Sequence, residues 1–270
     1  MADNVLSIEG LHKSFGGLKV IDDVGFAVKR GSRTALIGPN GAGKTTVFNL
    51  LTGVYPVDGG TMVLDGRDIT RVPAKDRVIF GMSRSFQNIR LMPHLSTVEN
   101  VMLGQHARAR RLGDLLYPLG LVPGNRWARA AKEALEDAGL ETYPGQVVAN
   151  LPYGVQKRIE VVRAMISQPK LLLLDEPAAG LNQVEAQQLL ALLEKVSASG
   201  VTLLVVEHDM HFVHNLCDHV AVLNFGKKIF EGTPAQVNDD PLVREAYLGS
   251  DTSMAGQQKA ALAAGAADAP

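Results

Sequence analysis

Apolar residues recur along this chain in two rhythms, and the order in which they appear predicts an architecture. Residues 5–11 and 24–28 read as short strands, and residues 34–37 as an apolar run that ends abruptly in a glycine-rich turn. A helix-compatible segment, 45–51, follows that turn. Residues 60–66 look like a hairpin arm and 79–86 like another strand, after which the pattern turns helical from 97 to about 139, within a helical lobe expected over about 90–165. Residues 155–167 place Val155, Ile159, Val162 and Ile166 on one helical face, with Lys157 and Arg158 expected outside it. The apolar runs 171–174 and 201–206 bracket a helical pattern at 184–196, the βαβ signature of a parallel sheet buried on both faces. A hairpin through Gly226 joins 220–225 to 228–232, and 234–248 reads as a last helix. The domain is expected to span 1–249, and 250–270, dominated by Ala and Gly, to be a disordered tail.

Composition narrows the class. At 270 residues, 46% hydrophobic and 20% charged, the chain can bury the core of one large α/β domain. A formal net charge of −1 offers no broad attraction for nucleic acid, so none is expected as partner, and a polyanion must bind at a local site. Cys217 is the single cysteine, which excludes an internal disulfide and reads as a packed core thiol in a reducing cytoplasm. No apolar run reaches the length of a membrane span, and Met1 to Glu9 lacks the basic and apolar regions of a secretory signal.

The glycine-rich turn carries the strongest chemistry. Gly38, Pro39, Asn40, Gly41, Ala42, Gly43, Lys44, Thr45 and Thr46 spell G-x-x-x-x-G-K-[ST] between a strand and a helix, the context a phosphate-binding loop requires. Its glycines let several N–H groups and a helix N-terminus converge on phosphate oxygens, Lys44 adds a charge, and the Thr45 hydroxyl suits Mg²⁺. Residues 171–174 then end in Asp175 and Glu176, at the sheet edge where ligands of parallel sheets bind. Asp175 suits Mg²⁺ through water and Glu176 suits a general base on attacking water. His208, after the next apolar strand, belongs to the same edge if the strands are neighbours, and could reach a γ-phosphate. Gln87 could ligate Mg²⁺ and sense a neighbouring lobe, or be a solvated loop amide. His106 to Arg111 reads as a solvated basic face and Trp127 as lobe packing.

The order of these motifs, with Phe15 before the loop and Leu151-Pro152-Tyr153-Gly154-Val155-Gln156 before residues 171–177, resembles the ATP-binding cassette (ABC) family over about residues 5–248. The resemblance implies a P-loop, RecA-like α/β core with an antiparallel β subdomain and a helical subdomain, and an enzyme that hydrolyses ATP with Mg²⁺. It implies that Phe15 stacks on adenine, and that Leu151, Gly154 and Gln156 belong to a signature segment completing the ATP site of a second ABC ATPase, itself or a paralogue. The wording around Leu151–Arg158, Ala178–Asn182 and Glu245–Gly249 looks like the subgroup serving branched-chain amino acid importers. That implies transmembrane permease subunits, an extracytoplasmic substrate-binding protein, and a peripheral place on the inner face of the cytoplasmic membrane. Two positions depart from the family pattern, Pro152 for the usual Ser and Asn182 for the usual Asp. Pro152 has neither hydroxyl nor N–H to offer, so phosphate recognition falls to the Gly154 backbone and the helix that follows, unless Pro152 simply starts that helix. Another cargo stays open, an amide, an aromatic acid or an exported lipid. So does a non-transport ABC ATPase, although the coiled-coil insertions or fused second cassette usual there are missing from this sequence.

Overall fold

The buried apolar runs build the centre of the fold, seen here in a computed structural model that describes residues 4–85, 89–105 and 126–247. Gln87, residues 106–111 and the tail 250–270 lie outside the described residues. Strands β1 (Asn4–Phe15) and β2 (Leu18–Lys29) form a long hairpin, to which β4 (Gly59–Leu64) and β5 (Arg67–Asp68) add in the order β2-β1-β4-β5, all antiparallel. A second sheet runs β10-β9-β3-β8-β7-β6. Its strands β3 (Arg33–Ile37), β6 (Met82–Arg84), β7 (Leu171–Asp175), β8 (Thr202–Val206) and β9 (His219–Asn224) are parallel, and β10 (Lys227–Gly232) closes one edge antiparallel to β9.

Both faces of this sheet are covered, which is why its central strands β7 and β8 carry unbroken apolar runs. Leu171 and Leu173 pack with Phe48 and Leu51 of α1 (Lys44–Leu51) and with β1 and β2, whereas Leu172 and Leu174 join the helices of the other face. All four leucines are fully buried, at about 1.5–3 kcal/mol each, which anchors the acids that follow them. The helical side comprises α3 (Thr97–Leu103), α4 (Arg126–Asp137), a 3-10 turn at Val148–Asn150, α5 (Tyr153–Met165), α6 (Gln183–Ala198) and α7 (Met210–Leu216). Short helices α2 (Ala74–Arg77) and α8 (Pro234–Val237) and a last helix over 241–247 are added to these. Cys217 sits buried beyond α7, its thiol pushed up to about 12 by burial.

Four expectations need correction. The strand expected over 79–86 shrinks to β6, because turn bonds from Ile79, Phe80 and Gly81 continue past α2 and leave Ile79 exposed. The helical pattern over 97–139 divides into α3 and α4, with residues 106–125 outside the description. The last helix is broken: Pro241 disfavours helix at Asp240, whose carboxylate instead accepts N–H bonds from Leu242 and Val243 and starts a new helix over 241–247. Lys157 is buried rather than outside, 3% exposed, because that side of α5 faces carboxylates, with Glu160, Glu207, Asp175 and Glu176 all acting on its charge; Arg158 is half-buried.

Candidate functional site

Parallel register brings the chemistry to one edge. Leu36 of β3 lies opposite Val206 of β8, and Val206 opposite Asp175 of β7, so the turns after these three strands emerge side by side. Those turns carry the glycine-rich loop, His208, and Asp175 with Glu176.

Two glycines of the loop are required sterically. Gly38 has φ +150°, and a Cβ there would stand 2.1 Å from the Leu223 carbonyl oxygen; Gly43, at φ +102°, would drive one into Ile21. Gly43 is also the N-cap of α1, and no side chain caps it, so the first-turn N–H groups face the loop. Pro39 and Ala42 are buried and joined by an Ala42 N–H to Pro39 carbonyl bond of 3.1 Å, while Asn40, Gly41 and Thr45 are exposed and Thr46 is half-buried. Lys44 is buried, its Nζ donating to the carbonyls of Gly38 at 2.7 Å and Pro39 at 3.0 Å. Burial pushes its pKa down, and Glu176 and Asp175 oppose that shift. A lysine, an uncapped helix start and exposed backbone make a donor set suited to phosphate oxygens.

Asp175 and Glu176 differ in surroundings. Asp175 is 4% exposed, and its Oδ2 accepts a 2.5 Å bond from Arg84 Nη2. The same guanidinium donates to Asn49 Oδ1 at 2.8 Å and Thr52 Oγ1 at 3.2 Å, tying the acid to α1. Glu176 is half-buried at φ +45°, a left-handed conformation costing of order 1–3 kcal/mol in a residue with a Cβ, and its N–H donates to the Val206 carbonyl at 2.9 Å. Among the described residues no group of three or more His, Cys, Asp or Glu side chains gathers as a metal cage. A metal at this edge would therefore share its coordination with phosphate and water, as Mg²⁺ does. His208 is 61% exposed, with Nδ1 3.8 Å from Glu207.

Phe15, at the end of β1, is 40% exposed, braced edge-on by Tyr55 at a centroid distance of 5.1 Å and overlooked by the Lys13 amine at 5.3 Å. The signature segment is held elsewhere. Leu151 is buried and accepts a bond from Gln156 Nε2 at 2.8 Å; Pro152 caps α5, its carbonyl accepting from Val155 and Gln156. The Gly154 N–H donates to Glu185 Oε1 at 3.3 Å, and Glu185 in turn forms a capping box with Asn182 at the start of α6. The Gly154 N–H of this segment thus leads to α6, while the Leu151, Pro152 and Gln156 bonds close within the segment itself. Pro152 and Asn182, the two departures from the family pattern, both occupy helix N-caps.

The profile described as ABC transporter matches residues 21–179, more than half of the chain. The chain belongs to the ABC transporter family. A second profile, described as branched-chain amino acid ATP-binding cassette transporter, matches residues 227–252 of this cassette. The high-affinity branched-chain amino acid transport ATP-binding protein BraF of Pseudomonas aeruginosa is 41% identical over 257 residues, covering 92% of this chain and 99% of its own. LivG of Escherichia coli, with the same description, is 39% identical over the same shares, and the probable LivG of Archaeoglobus fulgidus 34% over 92% and 97%. Among solved structures, an ATP-binding cassette of an ABC transporter in its ADP conformation superposes with a TM-score of 0.82 at 31% identity, covering 91% of this chain and 99% of that one. A nucleotide-free cassette gives 0.81 at 30%, covering 90% and 98%. As an ABC cassette, the chain is a nucleotide-binding ATPase whose work is coupled to transport.

Three residues of the cassette's edge went unread in the sequence. Arg84 carried no motif, and its signal was a lone cation between Ser83 and Ser85 in a segment read as a strand. Tyr247, whose contact the Glu245–Gly249 wording did not reveal, places its hydroxyl at the Gly38 backbone across most of the chain. Glu207 stood between two residues that were read, as the acid before His208.

Proposed function

We propose that this chain is the ATP-hydrolysing subunit of an importer for branched-chain amino acids, acting as one of two cassettes arranged head to tail. The observation that supports this most is the convergence of the Gly38–Thr46 loop, Asp175, Glu176 and His208 on one sheet edge. Lys44 and the loop N–H groups bind and neutralise the phosphates, and Phe15 receives the adenine on its exposed ring. Thr45, Asp175 and Gln87 would hold Mg²⁺, which would supply positive charge to the phosphates. Glu176 accepts a proton from the attacking water, and His208 orients the γ-phosphate end of the site. Leu151, Gly154 and Gln156 serve the loop of the partner cassette, a second copy or a paralogue; in this chain Gln156 bonds back to Leu151 within the segment and the Gly154 N–H is directed to Glu185 of α6.

No helix among the described residues is long and apolar enough to cross a membrane. Attachment to the inner face of the cytoplasmic membrane then runs through permease subunits, with an extracytoplasmic binding protein delivering cargo and nucleic acid playing no part. The cargo follows from the names of the relatives and from the profile over 227–252. Uptake of labelled leucine, isoleucine and valine into vesicles bearing the cassettes, permeases and binding protein tests it. ATP-dependent uptake is expected; ATP hydrolysis stimulated by a different amino acid, with none of these three accumulated, would contradict the cargo.

A further inference from the structure

Glu207 is 0% exposed at the end of β8, and the chemistry described above makes no use of it. A carboxylate removed from water must find donors, or it is strongly disfavoured. Its donors are all backbone. Oε1 accepts from the Ala178 N–H at 2.9 Å, and Oε2 accepts from the N–H groups of His208 at 3.0 Å and Asp209 at 3.4 Å. Ala178 lies two residues beyond Glu176, so one side chain ties the turn that carries Glu176 to the turn that carries His208. A second link runs the other way, from the Glu176 N–H to the Val206 carbonyl at 2.9 Å. Burial pushes the Glu207 carboxyl up, and its three N–H donors pull it back toward the ionised form.

We infer that Glu207 is a positioning residue for ATP hydrolysis: its two oxygens hold the 176–178 and 207–209 turns at a fixed spacing, so that Glu176 and His208 address the same γ-phosphate. The inference rests on the roles given to Glu176 and His208 above. A carboxylate is the group this junction requires. Both of its oxygens accept, whereas glutamine offers one acceptor and turns an N–H₂ toward backbone N–H groups, releasing one turn or the other at nearly constant volume. Aspartate keeps charge and both acceptors on an arm too short to reach both turns.

The experiment is a kinetic cycle on Glu207→Gln, His208→Ala and the double variant, using the assembled transporter, with binding of a fluorescent ATP analogue measured beside phosphate release. Glu207→Gln is expected to lower kcat by about tenfold or more, with analogue affinity within about threefold of the parent. Glu207→Asp should behave likewise, and it carries the same comparison if the Gln variant does not fold. In the double variant the two losses should fall well short of multiplying, because Glu207 acts partly through His208. A kcat within twofold of the parent in the folded Glu207 variants overturns the inference. So does full multiplication of the two losses when His208→Ala alone is slow, and in that case the reading of His208 stands. Parental turnover in His208→Ala alone overturns the role of His208 and the inference together.

Discussion

Asp175 and Glu176 are neighbours in the chain with opposite environments, and the contrast sorts their roles. Asp175 is buried and bonded to Arg84, fit to hold position and charge; Glu176 is half-exposed on a strained backbone, fit to meet water. Lys44 is the other decisive side chain, its amine bonded to the Gly38 and Pro39 carbonyls and its charge favoured by Glu176 and Asp175. Lys44→Ala should weaken nucleotide binding by at least about tenfold, since charge-assisted bonds are worth roughly 1.5–3 kcal/mol each. Titration with a fluorescent ATP analogue measures it, and unchanged affinity in a folded variant would remove the loop from the account. Phe15→Ala should cost about 0.5–1.5 kcal/mol of ATP affinity while leaving the unfolding free energy nearly intact, because the ring is already 40% exposed. The opposite result, lost stability with affinity unchanged, would mark Phe15 as core.

Helix ends show where sequence reading succeeded and where it stopped. Strands covered on both faces were legible, because β7 is apolar from Leu171 to Leu174 and β3 and β8 carry unbroken apolar runs at Ala35–Ile37 and Leu203–Val206. Buried charges were not legible. Lys157 falls on the polar side of a helical wheel, and only the tertiary placement of α5 near Glu207, Asp175 and Glu176 turns that side inward. The break at Asp240 was present in the pair Asp240-Pro241, but the apolar spacing on either side outweighed it. Caps behave more locally. Ser96 starts α3 with a full capping box, its Oγ accepting from the Glu99 N–H and Glu99 bonding back to the Ser96 N–H. Ser96→Ala should lower the unfolding free energy by about 1 kcal/mol, read by urea denaturation, with nucleotide affinity unchanged. A loss of affinity comparable to that of Lys44→Ala would contradict a purely structural cap.

At the scale of the whole molecule, the central claim is that one chain holds two half-sites. The phosphate loop and its acids lie at the parallel-sheet edge, while Gly154 sits at the start of α5, bonded to Glu185 of α6. On the proposed reading, a γ-phosphate enclosed from both sides needs a second cassette. Each motif was legible alone; that the Gly154 N–H is directed to Glu185 of α6 was not. Glu176→Gln isolates the claim, because the amide preserves size but cannot accept a proton from water. The measurement is ATP-dependent assembly mass by light scattering alongside phosphate release, made with both ATPases of the transporter present. The account predicts nucleotide retained, turnover slowed by about 10² or more, and a stable cassette dimer that accumulates with ATP. Near-normal phosphate release would remove Glu176 as the base, and a stalled enzyme that stays monomeric beside its partner would contradict the shared site.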